Sequence, residues 1–176
     1  MNKINIFGIV IQHFDTLRDD ISNKVSLGDY FTFLGLPFLG GVLAYFAKLP
    51  MPENLISILV AIFSIFAALL FSSQIALFSL IPRRPCKVED PILQHKRQNK
   101  FLKQKEFFKQ INANTSYLIL VASIALLIFL LIEILPISRS IEGAVAAFTV
   151  SHFFLSLMMM IKRTSIAFRI GHELRD

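Results

Sequence analysis

The chain of 176 residues has little charge and only one cysteine. Charged residues make up 17% of it, against about 25% in ordinary soluble domains, while hydrophobic residues make up 55%. A soluble domain of this size cannot bury so much apolar surface, and the same composition excludes intrinsic disorder. The single thiol, Cys86, excludes an intrachain disulfide framework. The composition therefore predicts an integral membrane protein.

The sequence also lacks the short motifs that carry catalysis or bind metals. It has no glycine-rich phosphate loop, nucleophile elbow or metalloprotease signature. Its four histidines have no second His or Cys at a ligand spacing, so no metal or cofactor is expected. Ser151 and His152 are adjacent, and neighbouring helix positions point about 100° apart, so they do not form a catalytic pair. A non-enzymatic protein is predicted, and the role of Cys86 stays open.

Four stretches are long and apolar enough to cross a hydrocarbon core, which takes roughly 20 residues as a helix. They are residues 30–47, 55–81, 117–137 and 143–161. The first is short and contains Pro37 and several glycines, which lower its helix propensity. Side-chain oxygens at Asn114 and the two residues after it are typical of a cap at the start of the third span. The predicted fold is an all-α, polytopic membrane protein with four transmembrane helices.

The segments that join the spans carry Lys and Arg very unevenly. Residues 1–29, 82–116 and 162–176 hold sixteen of these cations, whereas the two other turns hold only Lys48 and Arg139. Because cytoplasmic loops carry the excess of Lys and Arg, both termini and residues 82–116 are predicted to be cytoplasmic. The expected location is the bacterial inner membrane.

The N-terminal segment, residues 1–29, is predicted to be a cytoplasmic amphipathic helix. Apolar residues recur in it at spacings of three and four and form one seam: Phe7, Val10, Phe14, Leu17 and Ile21.

The middle segment, residues 82–116, is predicted to be a basic helix that begins at Asp90 and Pro91 and continues into the third span. Anionic lipid headgroups, an acidic protein and nucleic acid would all suit such a helix. Apolar residues between the cations favour a protein interface, and no nucleic-acid recognition fold is present. The predicted partner-binding residues are Lys96, Arg97, Lys100, Lys103, Lys105 and Lys109. A second basic segment, residues 162–176, follows the fourth span.

Two ionisable residues, Glu133 and His152, lie inside predicted spans, where such groups are costly and face protein or water. Their estimated depths differ, roughly 6 Å for Glu133 and roughly 13–14 Å for His152, so pairing would need helix tilt or a water. Glu133 is either a carboxylate hydrated near the outer surface or a functional group. His152 makes either an interhelical hydrogen bond or part of a proton or ion pathway.

Small residues recur every three or four positions along three spans and predict close helix contacts. The second span carries Ser57, Ala61, Ser64, Ala68, Ser72 and Ala76; the fourth carries Gly143, Ala147 and Ser151; the first carries Gly40 and Ala44. Either all of these stripes pack within the bundle, or one of them contacts another subunit. A homo-oligomer is predicted.

With four spans, both ends inside, a basic segment at residues 82–116 and no catalytic residues, the chain resembles the membrane subunit of the Kiwa anti-phage defence system. That family consists of small four-span bacterial proteins whose cytosolic face engages a soluble DNA-binding subunit. The resemblance implies a scaffold or sensor that recruits a cytosolic partner, and it assigns no residue a role. Membrane effectors of abortive infection, such as those of some retrons, are similar. The alternatives are therefore a pore-forming effector that depolarises the cell and, third, a small-solute or ion transporter.

Overall fold

The computed structural model describes residues 6–16, 27–48, 52–79 and 90–173, with side chains of the last range as far as residue 165. Every regular element within these ranges is helical, so the predicted all-α class is confirmed. The elements are α1 (Ile6–Asp15), α2 (Leu27–Tyr30), a π-helical stretch (Phe31–Gly35), α3 (Leu36–Ala47), α4 (Leu55–Ser79), α5 (Pro91–Ile134) and α6 (Arg139–Glu173). Leu17, Ile21 and Cys86 lie outside the described residues.

Three of the described helices are long and apolar enough to cross a membrane. They are α4, α5 and the part of α6 over Arg139–Ser165. They contain the described part of the second predicted span, the third as far as Ile134, and the whole of the fourth. The first predicted span corresponds to a shorter apolar helix, Phe31–Ala47.

Helix α5 is one continuous helix of 44 residues, about 66 Å long. Its start agrees with the sequence prediction, because the Asp90 carboxylate accepts the backbone N–H of Ile92 at 2.9 Å and Pro91 occupies the first turn. Its end is set by Pro136, since the preceding Leu135 adopts an extended conformation. The predicted cap at Asn114 is wrong, because this residue lies inside α5.

The apolar core lies between α4, α5 and α6. Phe63 of α4 has its ring centroid 5.6 Å from that of Phe129 on α5 and 4.9 Å from that of Phe153 on α6. Tilted and edge-on ring pairs of this kind are favourable beyond their buried area. Leu118 and Ala122 of α5 are fully buried beside them.

Helices α3 and α6 pack closely through small residues. A Cβ atom placed on Gly41 would lie 3.0 Å from the Ala144 carbonyl oxygen and 3.2 Å from the Phe148 Cβ. A Cβ atom on the adjacent Gly40 would lie 3.9 Å from the nearest atom, Oγ of Ser151. The small residues of the first and fourth spans therefore meet within the chain.

The small residues of α4 lie on a different face from its core contacts. Ile56, Leu59, Phe63 and Leu70 point into the core. The six small residues of the predicted stripe from Ser57 to Ala76 are all exposed, and the Ser57 hydroxyl bonds Glu133 of α5.

Candidate functional site

A cluster of polar side chains joins α1, α5 and α6. Its members are His13, Thr16, Asn114, Tyr117, His152 and Arg163. His13 and His152 are only 1% and 6% exposed. Burying polar groups without partners is costly, so the hydrogen bonds of the cluster decide whether the helices can pack.

His152 makes hydrogen bonds with both of its ring nitrogens. Nδ1 lies 2.8 Å from the carbonyl oxygen of Phe33, and Nε2 lies 2.8 Å from the hydroxyl of Tyr117. Because a carbonyl oxygen can only accept, Nδ1 carries the proton of a neutral ring. Nε2 is then an acceptor, and Tyr117 donates to it. The sequence alternative of an interhelical hydrogen bond at His152 therefore matches the geometry.

The Phe33 carbonyl is available to His152 because of a proline. In an α-helix this oxygen would accept from the backbone N–H of residue 37, and residue 37 is Pro37, which has none. The same segment is wound as a π-helical stretch over Phe31–Gly35. The His152 ring thus supplies the donor that the proline removes, and it fixes the start of α3 against α6.

His13 is held in place from two directions. Its Nδ1 lies 2.9 Å from the Asn114 side-chain oxygen, and its ring stacks on Tyr117 with centroids 3.7 Å apart and planes 4° from parallel. The pKa of His13 is lowered to about 4, chiefly by burial and also by the nearby His152 and Arg163, while the hydrogen bond to Asn114 acts in the opposite direction. His13 is therefore neutral near pH 7.

The end of α1 is fixed to both long helices. The Thr16 hydroxyl lies 2.6 Å from the His13 carbonyl oxygen and 3.0 Å from the Asn114 side-chain oxygen. The Arg163 guanidinium of α6 donates to the Thr16 carbonyl. A cation and a donor at a helix C-terminus satisfy its free carbonyls and suit its dipole.

The predicted apolar seam of α1 does not face the bundle as a unit. Phe14 packs on Tyr30 and Tyr117, with ring centroids 5.3 and 6.1 Å apart, but Phe7 is exposed. The most buried residue of α1 is His13, which does not belong to the predicted apolar seam. Asn114 supplies the polar partner of His13, and this hydrogen bond offsets part of the cost of burying the imidazole ring.

Glu133 lies far from this cluster. It is 16 residues beyond Tyr117 along α5, about 24 Å, and it accepts a 3.3 Å hydrogen bond from the Ser57 hydroxyl. Glu133 also lines a cavity of about 260 Å³ together with Glu53, Arg139 and Glu142. The structure thus does not bring Glu133 and His152 together.

The predicted partner-binding residues lie on the N-terminal half of α5. Lys100 is half-buried, and the other five are exposed: Lys96, Arg97, Lys103, Lys105 and Lys109. The described neighbour of Lys109 is Glu106 at 3.8 Å, an exposed ion pair of the kind that contributes little stability. Leu102 is exposed between these cations.

The hydrogen bonds found among the described residues of the polar cluster fall into two separate groups, one around Asn114 and one around His152. Tyr117 meets His13 by ring stacking, and on the other side the chain of bonds ends at the Phe33 carbonyl. Among the described residues, no three His, Cys, Asp or Glu side chains are grouped to hold a metal. The geometry fits a structural connection between helices, which sequence reasoning missed except at His152, because His13 and Asn114 are 101 residues apart.

No protein family, curated protein or solved structure matches the chain. The described residues define an all-helical protein in which three helices are long and apolar enough to span a membrane. A buried histidine cluster ties the N-terminal helix to two of them.

Proposed function

We propose that the chain is a non-enzymatic scaffold or sensor of the bacterial inner membrane that recruits a cytosolic protein partner. In this proposal α3 forms a fourth span with the π-helical stretch before it, and both termini are cytoplasmic. The distribution of cations supports the orientation, with sixteen on one side and two on the other.

The continuity of α5 is the observation that carries the proposal. If the apolar part, residues 117–134, occupies the membrane, its 18 residues extend about 27 Å, close to the thickness of a hydrocarbon core. The preceding 26 residues, 91–116, then extend about 39 Å on the cytoplasmic side as part of the same helix. A rigid projection of that length positions a binding surface away from the lipid headgroups.

The chemistry of this projection favours an acidic protein. Residues 91–110 contain six cations and one carboxylate, Glu106, and five of the six cations are exposed. Ile92 and Leu102 expose apolar side chains on the same segment. Anionic lipid would attract the cations nearest the membrane, such as Lys109 and Lys162. Anionic lipid leaves the apolar residues that lie far from the membrane without a partner, whereas a protein surface covers both the cations and the apolar residues.

The exposed stripe on α4 supports self-association. Its small residues would let two helix backbones approach closely in lipid, where no hydrophobic driving force brings helices together. Stripe residues of the first and fourth spans already face each other within the chain at Gly40 and Ser151, beside the close contact of Gly41 with Ala144. We therefore propose a homo-oligomer that uses α4.

The resemblance to the Kiwa membrane subunit supports a role for the recruited partner in anti-phage defence. In that role the chain holds a cytosolic, DNA-binding subunit at the membrane, and disturbance of the membrane is the trigger. The chain itself is not expected to bind nucleic acid.

Affinity purification in mild detergent tests recruitment. A variant with Lys100, Lys103, Lys105 and Lys109 changed to Glu should lose a protein that co-purifies with the wild-type chain, because reversed charges repel an acidic surface. The matched control changes the same four residues to Arg and should retain it.

Co-purification of the same protein with the Glu variant would show that this surface is not the interface. The defence role is tested separately by plaque assays in cells that carry the chain together with its neighbouring genes. Protection should fail with the Glu variant and persist with the Arg variant.

A further inference from the structure

Helix α1 has apolar side chains that the other described residues leave uncovered. Phe7 is 80% exposed and Ile11 is 60% exposed, and the two are one helical turn apart, so they form one continuous apolar surface. The exposed polar residue Gln12 lies about 100–140° round the helix from Ile11 and Phe7 at 100° per residue, whereas Asp15 lies one turn beyond Ile11, at the C-terminal end of α1.

The contacts of α1 show where it meets α5. Thr16, at its C-terminal end, lies against Asn114 of α5 and Arg163 of α6. His13, three residues earlier, bonds the same Asn114 and stacks on Tyr117, three residues further along α5. The C-terminal half of α1 therefore meets α5 at residues 114–117, and Phe7 and Ile11 lie on the N-terminal side of this contact. Ile11 lies about 3 Å and Phe7 about 9 Å beyond His13 along the axis of α1.

We infer that α1 is an interfacial helix whose Phe7 and Ile11 side chains insert among the acyl chains of the cytoplasmic leaflet. This inference rests on the proposed topology, which puts Tyr117 at the cytoplasmic edge of the membrane. Basic residues lie at the corresponding level of α6, where Lys162 is exposed and Arg163 binds the end of α1. An apolar face with cations at its edge matches a leaflet that contains anionic lipid.

The lipid contact is linked to the buried cluster through one short helix. Phe7 and Ile11 are held by the same α1 that carries His13, and His13 lies against Tyr117, the hydrogen-bond donor to His152. A change in lipid packing around α1 therefore acts directly on the contact between α5 and α6. This arrangement extends the proposed sensor role, because it identifies α1 as the segment that responds to a disturbance of the membrane.

The chain contains no tryptophan, so Phe7→Trp gives a protein with one tryptophan at the position in question. The full chain is reconstituted in vesicles of phosphatidylethanolamine and phosphatidylglycerol, with or without lipids brominated on the acyl chains. Emission from Phe7→Trp should be blue-shifted, and brominated lipid should reduce it by about twofold or more, as for an interfacial ring. Ile11→Trp should behave in the same way.

Two matched variants make the result decisive. Gln12→Trp lies on the polar side of α1 and should be quenched much less, whereas Leu127→Trp lies on the exposed face of α5 and should be quenched strongly. If Phe7→Trp is not quenched while Leu127→Trp is, the interfacial placement of α1 is overturned; blue-shifted emission without quenching overturns it too, since protein rather than lipid covers the ring. If Leu127→Trp also escapes quenching, the proposed topology itself fails.

Discussion

Replacing His152 with Phe removes both hydrogen bonds of the imidazole while keeping a planar ring of similar size. The Tyr117 hydroxyl loses its acceptor at 2.8 Å, and the Phe33 carbonyl loses its donor at 2.8 Å. The ring of Phe148, which stacks on His152, is apolar, so the new side chain is not itself out of place. The expected loss of stability therefore comes from two polar groups left without partners.

The size of the loss follows from the two hydrogen bonds. A buried polar group without a partner costs about 1–3 kcal/mol in water-soluble proteins. Within membranes, measured hydrogen-bond energies are smaller, about 0.6 kcal/mol on average and about 1.7 kcal/mol at most, because the unfolded chain also finds partners. The membrane values apply to this bundle, so His152→Phe should lower the free energy of unfolding by about 1–3 kcal/mol for the two bonds.

Unfolding by SDS in mixed micelles, followed by circular dichroism, measures this change. Tyr117→Phe removes one of the two bonds and should cost about half as much. The two substitutions should be coupled, because Tyr117→Phe removes a hydroxyl that His152→Phe has already left without an acceptor. Pro37→Ala should partly rescue His152→Phe, since it restores a backbone N–H four residues after Phe33.

The refuting result is additivity. If the effects of Tyr117→Phe and His152→Phe add within about 0.5 kcal/mol, the two side chains do not share a hydrogen bond that matters for folding. Absence of rescue by Pro37→Ala would show separately that the proline does not create the need for the His152 donor.

Three further predictions concern pH, packing and self-association. Because the folded-state pKa of His13 is about 4 against 6.5 for an ordinary histidine, the unfolded chain binds the proton first, and stability should fall by roughly 3 kcal/mol as the pH is lowered from 6.5 to 4. His13→Gln should remove this part of the pH dependence in the same unfolding assay, and an unchanged slope would contradict it. Gly41→Ala should destabilise the bundle by about 1–3 kcal/mol through its contact with the neighbouring helix backbone, whereas Gly40→Ala should change unfolding little; equal effects would refute the close contact. Ala68→Leu should reduce the fraction of the chain that chemical cross-linking captures as an oligomer in detergent. Leu69→Ala, at an exposed position beside the stripe, should leave that fraction unchanged.

The helical class and the apolar helices could be predicted from the sequence because the signals are local. A membrane span is a run of apolar residues, and a helix start such as Asp90 followed by Pro91 is a short pattern with a direct physical cause. The same local approach failed at Asn114. A polar residue at the edge of an apolar run looks like a cap, but here the helix continues through it and its side chain binds His13.

The buried cluster could not be predicted because it depends on pairs that are distant in sequence. His13 meets Asn114 across 101 positions, and His152 meets Phe33 across 119. Neither partner is recognisable until the helices are placed beside each other. The pairing of Gly40 with Ser151 has the same origin, because spacing indicated that each belongs to a stripe of small residues but did not indicate which helix each stripe contacts.

Recruitment through the basic half of α5 is tested most directly by site-specific photo-crosslinking in living cells. A photoreactive amino acid is placed at Leu102, which is exposed between the cations. We expect one cross-linked protein adduct in the otherwise wild-type chain and in the variant with Lys100, Lys103, Lys105 and Lys109 changed to Arg, and none when the four are changed to Glu. No adduct at Leu102, or the same adduct in the Glu variant, would contradict the proposal that this helix recruits an acidic protein.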